Sequence, residues 1–246
     1  MGRYKKLSLL YLLLSLFITS EAGSALIDDI YTDYREFYLK RDALLMIGAG
    51  MGLSAIMANT SFDREVQEYY QDNLRSPGTD RVSDIAETPG AWQVTIPCLA
   101  LTSIISEEGK IHEWSTRSLR AILVGAPAVL ALQRITGSSR PSEGDSKWHP
   151  FKDSNGVSGH AFIGSVPFIT AGVLSEDIKS KGIFYTLSIL PGLSRINDNK
   201  HYLSQVISGW YIGYLSVRAV NKTVSDKSFV ILPYRDGFMA FLAYRM

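Results

Sequence analysis

The chain has a single cysteine in 246 residues, Cys98, so no intrachain disulfide can hold it together and a buried core must do so. Set in the apolar run IPCLAL, that thiol is expected to be buried and structural. Histidine is nearly as scarce. The four histidines, at 112, 149, 160 and 201, lack the close pairing of a structural zinc site, and SRINDNK lacks the ordered ligand spacing of a calcium loop, so no metal and no cofactor are expected. An excess of either charge is missing too: 25 basic and 24 acidic residues leave +1, which gives no electrostatic footprint for nucleic acid. Several apolar runs fall short of membrane length. A span takes roughly 17 to 25 residues, whereas residues 121–133 and 182–194 offer 13 each between basic neighbours.

What is present begins at the N-terminus. MGRYKK is basic, residues 7–18 (LSLLYLLLSLFI) carry no charge, and small residues follow at Ser20, Ala22, Gly23 and Ala25. This order is that of a secretory leader, so residues 1–25 are expected to be a signal peptide, with an uncleaved N-terminal anchor as the alternative. Export to a bacterial periplasm or cell envelope follows. A soluble or peripheral protein is preferred over an integral one, because short charge-flanked runs suit a bundle core better than a bilayer.

Downstream, apolar blocks at 43–58, 91–105, 121–132, 161–174, 183–190 and 202–217 alternate with polar islands. Their length and few β-branched alternations predict helices, and residues 26–246 are expected to form one all-α domain, a helical bundle. The tail at 228–243 is readable either as helix or as strand.

Two islands carry chemistry. Residues 137–159, GSSRPSEGDSKWHPFKDSNGVSG, are too polar and too rich in turn formers for a core. They open near Arg140 and close on Ser158-Gly159-His160. The second, PGLSRINDNKH, pairs Arg195 with His201. Guanidinium groups take a tetrahedral oxyanion bidentately, and a helix starting near His160 would point unpaired N–H groups at the same anion. Two imidazoles beside such an anion suffice for phosphoryl transfer through nitrogen, one attacking phosphorus and the other protonating the leaving oxygen. Gln205 stands four residues after His201, on the same helix face, where its amide oxygen can take the ring N–H and fix the tautomer.

Gln133 to Pro141 (QRITGSSRP), Val157 to His160 (VSGH) and Ser194 to Gln205 (SRINDNKHYLSQ) resemble, in order and spacing, the three motifs of the type 2 phosphatidic acid phosphatase superfamily. That superfamily also includes bacterial acid phosphatases and vanadium haloperoxidases. The resemblance implies a helical bundle of the acid phosphatase type with its site at one end. It implies His201 as the nucleophile that becomes phosphohistidine and His160 as the general acid. It further implies Arg140 and Arg195 on the phosphoryl oxygens, Ser158 and the Gly159 backbone completing the cradle, and a metal-independent hydrolase. The substrates would be small phosphomonoesters or lipid and isoprenoid phosphates, with membrane association where the substrate is a lipid. Oligomeric state is left open.

Three positions depart from the family pattern. Gln133 stands where the first motif has lysine, with Arg134 next to it as a substitute charge, and both are expected among the substrate-binding residues. Val157 replaces a proline, and Gln205 replaces the aspartate that orients the nucleophile. A neutral amide holds an imidazole but does not stabilise its positive charge, so a slower phosphatase is expected, with Asp198 as a source of charge from the loop. The competing readings are a phosphate-binding envelope protein without turnover and a vanadate-dependent haloperoxidase. Of the remaining polar residues, His149 is expected to be a solvated loop residue, with substrate contact as the alternative, and His112 has a charged neighbourhood and no partner motif. Trp210 is expected in the core, and Asn221-Lys222-Thr223 fits a glycosylation pattern.

Overall fold

The computed structural model describes residues 21–106, 108–225, 227–234 and 237–244. The proposed leader therefore lies almost wholly outside the described residues. Ten α-helices are described: α1 (Glu21–Tyr38), α2 (Arg41–Asn59), α3 (Phe62–Asn73), α4 (Pro77–Ala86), α5 (Trp92–Ile105), α6 (Gly109–Thr136), α7 (Gly159–Leu174), α8 (Ile178–Leu187), α9 (Leu190–Asn197) and α10 (Leu203–Ser225). A 3-10 turn, Thr88–Gly90, precedes α5. The all-α expectation holds for the bundle. The tail resolves as an antiparallel hairpin of β1 (Lys227–Tyr234) and β2 (Gly237–Tyr244), registered Lys227 to Tyr244 through Tyr234 to Gly237.

The bundle is organised around α7, which packs against α10, α6, α8 and α9, while α10 also lies along α2 and α1. Phe162, Val166 and Ile169 of α7 meet Val124 and Ala128 of α6 and Ile212 and Leu215 of α10 in one buried cluster. Pro127 interrupts α6, and its missing N–H leaves the carbonyl of Leu123 without an intrahelical donor. Tyr34 of α1 donates its hydroxyl to that carbonyl at 3.0 Å, and Tyr38 donates to Val124 O at 2.7 Å. Two aromatic side chains thus repair a proline break from the neighbouring helix. Trp210 packs against the same cluster, half-buried, with its indole N–H donated to Ser188 Oγ.

At the bundle end away from the polar islands, Arg120 makes a two-pronged contact with the buried carboxylate of Asp33, at 2.8 and 2.9 Å, and reaches Asp29 at 2.9 Å. Thr223 donates to Asp33 as well. The Asn221-Lys222-Thr223 triplet therefore sits in α10 with its threonine buried, which is not the surface loop that glycosylation requires.

Two local expectations are corrected. Cys98 is exposed, because α5 is apolar on every side and periodicity could not say which face is buried. The stretch carrying Ser194 and Arg195 is a helix, α9, and not a loop: Pro191 occupies its first turn, where the missing N–H costs nothing.

Helix ends set the geometry of the end that carries the polar islands. Gly137 stops α6 in the left-handed region, at φ 60°, and the Phe151 N–H then bonds back to Arg134 O at 2.8 Å, folding the long island against the helix that launched it. Ser158 caps α7 by accepting from the Ala161 N–H. Asp63 of α3 caps α10 by accepting from the Ser204 N–H at 2.9 Å. At Gly209 the backbone of α10 passes so close to that of Ser158 that a Cβ would lie 2.2 Å from the Ser158 carbonyl oxygen. Backbone cannot yield there as a side-chain tip can. Gly209→Ala is expected to destabilise the fold by about 1 to 3 kcal/mol and to displace the Ser158–His160 turn; a denaturant midpoint equal to that of the wild type would contradict this packing.

Candidate active site

The three motif segments meet at the end of α6, the start of α7 and the start of α10. Gln205 joins them. Its backbone carbonyl accepts from the Ser158 N–H at 2.9 Å. Its Nε2 donates to Ser139 O at 2.8 Å and to Ser138 Oγ at 3.0 Å. Its Oε1 accepts from the Tyr202 N–H at 3.1 Å and lies 2.8 Å from His201 Nδ1. A carbonyl oxygen only accepts, so the Ser139 contact fixes which end of the amide is nitrogen. The oxygen must then face the imidazole, Nδ1 carries the proton, and Nε2 of His201 keeps its lone pair.

His201 reaches this place through a tight connection. Its N–H and that of Lys200 both bond to Arg195 O at the end of α9, at 3.2 and 2.9 Å, and Asn199 turns the chain at φ 56°. Asparagine tolerates that left-handed conformation better than most residues. Gln67 of α3 holds the Asn199 side chain at 2.7 Å, and Gln71 donates to Ile196 O at 2.9 Å. From α4, Asp80 accepts from Asn197 and Ser83 donates to Asp198 at 2.7 Å. The polar interval 61–87 is thus a clamp on the segment between Arg195 and His201. No motif or periodicity marks those side chains, because their partners are more than 100 residues away.

The charged groups share one electrostatic neighbourhood. His201 is buried, and its imidazole is pushed down from 6.5 to about 4, first by burial. The Gln205 hydrogen bond opposes that shift, while the charges of Arg140, Arg195 and His160 add to it. His160, half-buried at the start of α7, is also lowered: burial is the main cause, Arg195 and Arg140 contribute, and Glu87 pulls the other way.

Arg195 is nearly buried, bonded through Nη1 to Glu87 Oε2 at 2.7 Å, with Asp198 at 3.7 Å from the same nitrogen. The loop carboxylate therefore faces Arg195, and the imidazole of His201 has the amide instead. Arg140 is more open, held by Nε on Asn155 Oδ1 at 3.1 Å with Glu143 at 3.8 Å. Gln133 donates from Nε2 to Val157 O at 2.8 Å, tying the first motif to the turn before Ser158. Arg134 is exposed, and among the described contacts its guanidinium meets none of these groups. His149 is exposed beside Asp145 at 3.6 Å, and His112 lies 3.0 Å from Ser103 O, both apart from the cluster.

Two guanidinium groups, two imidazoles and a capped helix start lie at one end of a helical bundle, a set of groups with the chemistry to hold a tetrahedral oxyanion. Residues 100–229 match the PAP2 superfamily, which is more than half of the chain, and the protein belongs to that superfamily. Comparisons with curated proteins and with solved structures gave no match. Membership supports phosphatase-type activity and phosphate-containing substrates. Members are often membrane-associated or envelope proteins, and α2 and α6 are each long and apolar enough to cross a membrane.

Proposed function

We propose that this protein is a phosphomonoesterase working through a phosphohistidine. The observation that carries the reading is the fixed Gln205 amide, which leaves His201 Nε2 unprotonated in a site flanked by Arg140 and Arg195. In the first half-reaction Nε2 attacks phosphorus, the P–N bond forms and the ester P–O bond breaks. His160 gives its proton to the departing alkoxide. In the second, water attacks the phosphohistidine, His160 takes the proton from that water, and the P–N bond breaks to release phosphate. Arg140, Arg195, the Ser158 hydroxyl and the N–H groups opening α7 at Gly159 hold the three equatorial oxygens as charge builds. Gln133 contributes by fastening the turn through Val157 O; Arg134 supplies long-range charge only.

Thr88 and Pro89, next to the Gly90 that lies against His160, belong to the lining of an apolar cavity of about 550 Å³ together with Cys98, Trp114, Phe168 and Phe184. Such a lining favours a lipid or isoprenoid phosphate over a small polar ester. Leu44, Leu45, Leu53 and Ile56 on α2 and Leu101, Ile104 and Ile105 on α5 are exposed, which suits a protein held at the membrane of the cell envelope.

The test is phosphate release by the purified full chain across pH. Catalysis from the free enzyme needs His201 neutral and His160 protonated. Because the first is lowered to about 4 and the second lies below 6.5, kcat/KM is expected to rise through about pH 4 and to fall again before pH 6.5. An optimum above pH 7 would contradict the assignment. Phosphate binding without hydrolysis of aryl or lipid phosphates would replace it with the non-enzymatic reading, and vanadate-dependent halide oxidation with the haloperoxidase one.

A further inference from the structure

Glu87 belongs to none of the three motif segments and precedes the residues matched to the superfamily. It follows α4 directly and leads into the 3-10 turn Thr88–Gly90. Two contacts bind this turn to the site. Arg195 donates from Nη1 to Glu87 Oε2 at 2.7 Å, with 11% of the arginine side chain and 45% of the glutamate exposed. At Gly90, a Cβ would lie 2.9 Å from the Cβ, Cδ2 and carbonyl oxygen of His160, so the turn backbone lies directly on that residue.

The other carboxylate near Arg195, Asp198, already accepts from Ser83 and Asn197 and stands farther off at 3.7 Å. Arg195 Nε is buried with no hydrogen-bond partner among the described residues. One nitrogen of the fork is thus occupied by Glu87, and the fork is not used up.

We propose that Glu87 is a positioning residue of this site: it holds Arg195 by Nη1, leaves the remaining donors of that guanidinium for a phosphoryl oxygen, and sets a negative charge beside His160. The inference rests on the phosphoryl-transfer reading above. The groups that face His160 are Arg195 from α9, Arg140 from the long island, His201 ahead of α10 and Glu87 from the turn, and a charge on His160 disfavours one on His201. Both arginines drive the proton off His160. Glu87 is the acid that acts against them. A proton donor surrounded by cations needs such a counter-charge to stay protonated until the leaving oxygen takes its proton.

Glu87→Gln removes the charge and keeps the shape, and Glu87→Asp restores the charge on a shorter arm. In the full chain labelled at histidine Cε1, the His160 resonance, assigned with His160→Gln, is expected to titrate about 0.5 to 1 unit lower in Glu87→Gln, with part of the shift recovered in Glu87→Asp. The alkaline limb of kcat/KM moves down equally, a loss of roughly 3- to 10-fold above the limb with little change below it. An unmoved His160 midpoint in Glu87→Gln overturns the proposal. So does a uniform loss of activity at every pH with the limb in place, which is the mark of a merely structural contact. If the wild-type chain releases no phosphate, the phosphatase reading falls by itself, while the His160 midpoint still decides whether Glu87 supplies the charge.

Discussion

His201→Ala is expected to abolish phosphate release, by about 10⁴-fold or more, because no other described side chain offers a lone pair fixed in the cluster of Arg140, Arg195 and His160. His160→Ala is expected to behave differently. A general acid contributes typically 10² to 10⁴-fold, and only where the leaving oxygen needs a proton. Formation of the phosphoenzyme from an alkyl phosphate should therefore fall by about that range, whereas formation from a nitrophenyl phosphate, whose leaving group departs unprotonated, should lose far less, with hydrolysis of the intermediate slowed alike for both. Phosphoenzyme quenched in alkaline detergent, where a P–N bond survives, should still be trapped in His160→Ala with the nitrophenyl ester and never in His201→Ala. Equal losses in the rate of phosphoenzyme formation for both esters in His160→Ala would reverse or remove the assigned roles. Helix content by circular dichroism separates either result from misfolding.

The residues of this site were largely legible because the contacts between them follow from short-range rules. His201 and Gln205 are four apart on one helix, so their hydrogen bond at 2.8 Å follows from helix geometry. Ser158 caps α7 for the same local reason that made Ser158-Gly159-His160 readable as a helix start. Apolar blocks became helices at nearly the expected places. What escaped was long-range. Glu87, Gln67, Gln71, Asp80 and Ser83 act on a segment more than 100 residues later, and nothing in their own neighbourhood distinguishes them from solvated polar residues. Gln133 carried a signal that pointed elsewhere. Its place in the first motif suggested substrate contact, while its amide is given to Val157 O. Cys98 and α9 went astray for opposite reasons: a helix apolar all round hides its buried face, and a polar segment opened by proline reads as loop until its partners are known.

Gln205 gives the sharpest test of the site's electrostatics, because the family pattern has an aspartate in its place. Gln205→Glu keeps the length and adds the missing charge, yet it is expected to lower both stability and turnover. The oxygen replacing Nε2 would face Ser139 O, now 2.8 Å from that nitrogen, acceptor against acceptor. Ser138 Oγ offers no relief, since its own hydrogen is donated to Ser146 O at 2.6 Å. A buried acceptor without a donor costs about 1 to 3 kcal/mol, and that is the expected loss in unfolding free energy. The carboxylate would also favour the imidazolium form of His201, so the acid limb of kcat/KM moves above pH 4 in this variant. Gln205→Leu removes the tautomer lock with no added charge: turnover falls by about 10² to 10⁴-fold, as in triads that lose their orienting group, and the acid limb does not rise. The two substitutions thus separate orientation from charge. A Gln205→Glu protein as stable and as fast as the wild type would mean that the amide does not fix the ring, and the assignment of His201 Nε2 as the attacking atom would lose its support.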